Sequence, residues 1–365
     1  MSSMWRSLPS AAALLLLAGA AAAAPAPAAW TPDWQVLRGA LRQRLSEAAD
    51  RGLLPVLDVE SSFSPTAMNA PALRAGLERG GVWAVAWSPE DEESRVEGRG
   101  WPWWGRRWQE ILRGLADDFP GWTLPVPPAG VLVPGGVPRE EALRRLREVL
   151  DRARAARYPM LGEYFFRHYS SNQDTVAGES HDIAEPIDGD FGRALFSFSQ
   201  DAGVPFQIHY ELEDDLLPPL ERMLDRYPAA KVIWCHAGRV RHPERAPRFM
   251  RAPAATLGRL LDAHPNLYFD LGGVRADKYP GTGAPVALWW DPATGRLKPD
   301  WQRLVVEHPW RFLAALDLGN DRAEEAPYYA DQLKALLLEL PPETREIVAY
   351  KAAWRLIFRE DPGLP

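Results

Sequence analysis

The sequence predicts an α/β protein of the (β/α)8 TIM-barrel class, and three observations carry that prediction. Short apolar runs alternate with helical patterns from Leu53 onward, and such alternation builds a parallel sheet. Eight of these runs occupy roughly 260 residues, close to the ~250 typical of the barrel. The runs are apolar almost throughout instead of alternating, as strands packed on both faces require. A doubly wound open sheet is the competing architecture, but no glycine-rich nucleotide fingerprint follows the first strand.

The chain opens with MSSMWRSLPSAAALLLLAGAAAAAPAPAAW, which has one early positive charge, a short apolar core at Ala11–Ala18 and then small residues. This reads as a signal peptide over residues 1–24, exporting the protein to a periplasm or out of the cell. The apolar run is too short for a convincing membrane span, so no stable membrane insertion is expected. Residues 30–365 then read as one barrel domain. WQVLRGALRQRLSEAADRG is an amphipathic helix closed by Gly52. LLPVLDVE, GVWAVAWSP and GWTLPVPP read as the first three strands, the last weakened by its prolines. Helical patterns lie at AGLERG, RRWQEILRGLADDF and REEALRRLREVLDRARAARY, and PAGVLVPGGVP reads as a loop. PMLGEYFFR, VPFQIHYE, KVIWCHAG, NLYFDLGG and RFLAALDLG complete the eight strands. FGRALFSFSQDAG, LLPPLERMLDRYP and AATLGRLLDAHP lie between them with helical apolar spacing.

Composition narrows the function classes. The chain has 365 residues, 46% hydrophobic and 25% charged, with a formal net charge of −7, the profile of a soluble globular protein. Its arginines are interleaved with Glu and Asp, which describes solvated helix faces and not a nucleic-acid surface. The partner expected is a small-molecule substrate. Cys235 is the sole cysteine, so no internal disulfide can form. Within KVIWCHAG it reads as a small buried hydrophobe.

Polar residues stand at the C-terminal ends of the predicted strands: Glu60 on the first, Glu163 on the fourth, His209 on the fifth, His236 on the sixth, Asp270 on the seventh and Asp317 on the eighth. In a barrel those ends converge on the mouth where active sites are built. Imidazole and carboxylate together are the ligand types that suit Zn²⁺ and related metals.

IHYE, WCHAG, LYFDLGG and HPWRFLAALDLGND resemble the second half of the amidohydrolase-related TIM-barrel family. LGEYFFR is similar to the fourth strand of one branch, and LLLELPPETREIVAYKAAWRLI resembles the closing helices. The resemblance runs from about Leu53 to Phe358 and implies a metal-dependent hydrolase. By it, His209 binds the metal, His236 binds metal or polarises the substrate, Asp317 contacts the metal and serves as general base, and Glu163 reaches the ion from the fourth strand. A divalent ion lowers the pKa of bound water to about 7, and a neighbouring carboxylate takes its proton.

The opening strand departs from the family, whose members carry Asp-x-His-x-His there. LDVESSFS instead aligns as Asp58, Val59, Glu60, Ser61, Ser62. With Glu60 as an oxygen ligand beside Glu163, His209 and Asp317, the site becomes richer in oxygen, moving preference from Zn²⁺ toward Mn²⁺, Mg²⁺ or Ca²⁺; a site without metal stays open as well. Arg239, Arg241 and Arg275 follow the sixth and seventh strands. Arg239 and Arg275 are assigned to substrate binding through bidentate hydrogen bonds, with a salt bridge to Glu244 or Asp277 as the alternative. WPWWGRRW places Trp104 over the mouth to stack on substrate; packing of that loop onto the barrel is the alternative. RHYSSNQDTVAGESHDIAEPIDGD, with His168 and His181, reads as a lid. The function expected is hydrolysis of a small ester, lactone, amide or similar bond. Two others remain: a metal-free barrel kept as a binding or scaffold module, and carboxylate chemistry of the glycosidase type.

Overall fold

The structure is a computed structural model that describes residues 30–63, 71–89, 108–169, 182–272, 288–291 and 293–363. Residues 1–24, read from sequence as a signal peptide, and Trp104, His181 and Arg275 lie outside the described residues.

The strands in chain order are β1 Val56–Phe63, β2 Val82–Pro89, β3 Thr123–Pro125, β4 Gly130–Val131, β5 Leu161–Phe165, β6 Arg167–His168, β7 Ile183–Ala184, β8 Phe206–His209, β9 Val232–Trp234, β10 Leu267–Asp270, β11 Trp290–Asp291, β12 Arg296–Leu297 and β13 Phe312–Leu313. Parallel pairing runs β1-β2-β3 in one sheet and β4-β5-β8-β9-β10-β13 in another. The two are halves of one cylinder. Val59 donates to the Ala314 carbonyl, Asp317 to that of Glu60 and Ser62 to that of Leu318, so β1 closes on the segment that follows β13.

The other join lies in the third stave, where expectation needs correction. PAGVLVPGGVP is not all loop: Gly130–Val131 pairs with β5 while Thr123–Pro125 pairs with β2. Pro125, Pro127 and Pro128 lack the N–H that a ladder needs. One stave is therefore split, its first part serving the strand on one side and its last part the strand on the other. All eight predicted strands are present, and the fold is the (β/α)8 barrel.

Helices follow the strands where the apolar spacing places them, among them Pro71–Arg79, Trp108–Asp118, Arg139–Ala155, Asp190–Ala202, Leu217–Arg226, Pro253–Ala263 and Pro299–Glu307. The first helix, Trp34–Asp50, starts where the Asp33 side chain accepts from the Gln35 and Val36 amides, and it buries Leu41, Leu45 and Ala48; such a cap satisfies otherwise orphaned donors. This helix packs at the N-terminal ends of the staves: Trp34 donates to the Ala156 carbonyl ahead of β5, and Arg44 to that of Trp83 at the start of β2. The strands are buried nearly end to end, with Trp83, Trp87, Trp234, Tyr164 and Phe206 at 1% exposure or less. Trp108 begins a helix and packs on Tyr158, ring centroids 5.8 Å apart, so this tryptophan is a packing residue. Among the described residues no helix is long and apolar enough to cross a membrane.

Candidate metal centre at the barrel mouth

The staves bring Glu60, Glu163, His209, His236, Asp270 and Asp317 together, and four of these stand at backbone irregularities. In β1 the register with β2 jumps between Asp58 and Ser61, and in β5 the register with β8 jumps between Leu161 and Glu163. A bulge of this kind re-aims a side chain and is common beside active sites. Here the two bulges carry Glu60 and Glu163. His236 and Asp317 have φ of 61° and 55°, left-handed backbone that costs an ordinary L-residue about 1–2 kcal/mol. The other two non-glycine residues with positive φ, Arg157 and Arg359, lie just past helix ends. Local strain is thus concentrated at the mouth, where it aims the site.

Glu163 is the hub. Its Oε1 lies 2.7 Å from His209 Nδ1 and 3.1 Å from His236 Nε2. The remaining nitrogen of His209 faces Glu211 at 3.4 Å. His236 continues the chain of contacts, 3.4 Å from Glu60 and, through Nδ1, 3.8 Å from Asp317. The donors of Glu163, His209 and His236 lie within 4.8 Å of one another, as do those of Glu60, His236 and Asp317. Burial would raise the Glu163 carboxyl, but the His209 and His236 imidazoles hold it well below its ordinary value. Burial would depress His209, but the flanking Glu163 and Glu211 raise it.

Glu60 has the opposite environment. It is 6% exposed, and neither carboxylate oxygen accepts a hydrogen bond among the described residues. Burial, then the charges of Asp270, Glu163, Asp317 and Asp58, push its carboxyl well above the ordinary range. A buried carboxylate without donors is costly unless a cation or a proton answers it. Gly272 makes room for it, since a Cβ there would lie 2.3 Å from Glu60 Oε2. We predict that Gly272→Ala displaces the Glu60 carboxylate while the barrel stays folded. Metal affinity is expected to fall by about 10–100-fold, the usual cost of disturbing a ligand's support; isothermal titration beside a thermal melt checks both.

Asp58, the first residue of the departed motif, is not a mouth residue. Its Oδ1 accepts from the Glu60 and Leu316 amides at 2.9 and 3.0 Å, and its Oδ2 accepts from the Ser61 hydroxyl. Burial pushes its carboxyl up to about 7.

Arg239 was read from sequence as a substrate ligand. Its Nη1 donates to Asp317 Oδ2 at 2.9 Å. Arg241 donates to the Tyr169 carbonyl and lies 3.4 Å from Glu211. Glu211 escaped the sequence reading. Its signal was present, a second carboxylate two residues beyond His209 in IHYE. His168 was read from sequence as part of a lid segment; the β6–β7 ribbon at the root of that segment sets its ring 4.6 Å from that of His209 and stacks it on Phe165. Burial, then His209 and Arg241, hold His168 well below its ordinary value, which keeps it neutral.

A family model described as amidohydrolase matches residues 88–359. The chain belongs to the amidohydrolase family. The matched region holds the staves from β3 onward and starts after β1, so Glu60 lies outside it. Solved structures similar to this amidohydrolase include an amidohydrolase from Burkholderia multivorans with bound zinc, at 15% identity over 85% of this chain and 100% of that one, TM-score 0.46. Others are a dihydroxybenzoic acid decarboxylase from Polaromonas sp. JS666 with bound manganese and the inhibitor 2-nitroresorcinol (13%, 84% and 97%, 0.47) and a 2,6-dihydroxybenzoate decarboxylase from Rhizobium (12%, 84% and 99%, 0.47). No curated protein matches.

Proposed function

We propose that this amidohydrolase is a metal-dependent hydrolase of a small ester, lactone, amide or similar bond. The observation that carries the metal is the buried Glu60 carboxylate, whose oxygens accept no hydrogen bond among the described residues, in a mouth rich in carboxylates. Glu60, Glu163, Glu211, Asp270 and Asp317 converge there, with Arg239 and Arg241 as permanent cations beside them. Glu163, His209 and His236 would hold the ion, with Glu60 within reach. Nitrogen and oxygen donors in this mixture suit Zn²⁺ or Mn²⁺.

A bound divalent ion would polarise the scissile carbonyl and acidify water. The protein's own groups do the remaining work. Asp317 accepts the proton of the attacking water, and Arg239 fixes the orientation of its carboxylate. Neutral His168 and Phe165 pack their rings beside His209. Arg275 and Trp104 are kept as proposed substrate-binding residues on the sequence reading alone. Export through residues 1–24 goes with this reading and is tested by N-terminal sequencing of protein recovered from a periplasmic fraction.

Elemental analysis of the purified, metal-reconstituted protein tests the proposal directly. The expected result is a stoichiometric divalent ion, activity against a panel of small esters, lactones and amides lost on chelation, and recovery on metal return. Activity that survives chelation in a protein without metal would overturn it. One observation favours a second reading, a metal-free barrel retained as a binding module: the Asp317 carboxylate already has a guanidinium partner. The same chelation experiment separates the two.

A further inference from the structure

Beside the mouth centre lies a second group of donors that the proposed reaction does not use. Cys235, Asp270 and Glu60 offer a sulfur and two carboxylate oxygens within 4.8 Å of one another, and all three residues are buried. Asp270 is 0% exposed and Cys235 2%. Asp270 Oδ1 is engaged by the His236 and Gly272 amides at 2.9 and 3.0 Å, which fixes the carboxylate in place. Its Oδ2 accepts no hydrogen bond among the described residues, and neither does either oxygen of Glu60, whose Oε1 lies 3.4 Å from His236 Nε2. The Cys235 sulfur lies within 4.8 Å of an Asp270 carboxylate oxygen. Three oxygen atoms that accept no hydrogen bond are therefore buried close to a single thiol.

Apolar packing does not account for this arrangement. VIWC reads as an apolar run, but its cysteine lies beside two carboxylates. A buried unpartnered acceptor costs about 1–3 kcal/mol, more when charged, and here several share one place. A thiolate with two carboxylates is a donor set for Zn²⁺ or Co²⁺, with bonds of about 2.0–2.3 Å.

We propose that Glu60, Cys235 and Asp270 form a second, inner site for a divalent transition-metal ion, adjacent to the mouth centre and sharing Glu60 with it. On binding, the S–H bond of Cys235 breaks, a sulfur–metal bond forms, and the proton passes to solvent. The ion reaches the site through the mouth. This inner site shares Glu60 with the mouth centre but adds Cys235 and Asp270, so a signal from the thiolate lets the two fail separately.

Cobalt(II) titration of the metal-stripped protein is the test, read by absorbance and not by activity. The chain has a single cysteine, so any near-ultraviolet thiolate-to-cobalt charge-transfer band belongs to Cys235. The expected result is that band in the wild type and in His209→Ala, and its loss in Cys235→Ser with the visible d–d bands of the mouth ion retained. Visible bands without a charge-transfer band would overturn the inner site and leave the mouth reading standing. A charge-transfer band lost in His209→Ala would overturn it too, by making the thiol a ligand of the one mouth ion. No cobalt spectrum of either kind would reject both sites. Should Cys235→Ser misfold, Cys235→Ala and the wild-type spectrum still decide, because no other thiol exists.

Discussion

Asp317→Asn is expected to lower kcat by about 10²–10⁴-fold, the range a positioned general base contributes, with metal content unchanged. Asparagine is the right replacement because the backbone at this position has φ of 55°, a region that Asp and Asn tolerate and other side chains resist. Alanine would confound lost chemistry with strain. The amide oxygen still accepts from Arg239 Nη1, which sits 2.9 Å from Oδ2 in the wild type, so no buried guanidinium is stranded. What disappears is the capacity to take a proton. Steady-state kinetics and elemental analysis on one preparation give the two readouts. A kcat within about twofold of wild type would remove Asp317 from the chemistry, since loss of a general base cannot be that small. Loss of the ion together with activity would make Asp317 a metal ligand in its own right.

The barrel was legible because its strands announce themselves. VWAVAW, FQIH and VIW are apolar throughout and buried throughout, so continuous hydrophobicity reported burial on both faces. The mouth was legible as a set of residue types at strand ends, and Glu60, Glu163, His209, His236 and Asp317 do meet. Their wiring was not legible. A bulge leaves no residue signature when the extra position is an ordinary Val or Gly, yet the bulges in β1 and β5 aim Glu60 and Glu163. Left-handed backbone at His236 and Asp317 is likewise invisible in residues that favour it only mildly. Arg239 could be placed at the mouth from its spacing, but its choice of Asp317 over Glu244 depends on a crossing between the sixth and eighth staves. Cys235 shows the same limit, since its neighbours in the chain are apolar and its neighbours in space are acidic.

Asp58 carries the second large effect, on stability. This carboxylate joins the two edges that close the cylinder, accepting from the Glu60 and Ser61 side of β1 and from the Leu316 amide of the eighth stave. Asp58→Ala would leave the two amides and the Ser61 hydroxyl facing a cavity at a position 1% exposed. Each stranded buried donor costs about 1–3 kcal/mol. The hydroxyl can rotate to another acceptor, so the total expected is about 3–5 kcal/mol, near the upper end for single substitutions. Asp58→Asn is the control. Its carbonyl oxygen replaces Oδ1 for both amides, and its NH₂ can donate to the Ser61 oxygen, so the loss should stay within about 1 kcal/mol. Urea unfolding of the three proteins supplies the comparison. Equal midpoints for wild type and Asp58→Ala would show that the backbone bonds from Val59, Ser62 and Asp317 close the barrel without help. The expected order, Asn near wild type and Ala far below it, would mean that the aspartate beginning the departed motif is kept for closure, while Glu60, two residues on, carries the change in chemistry.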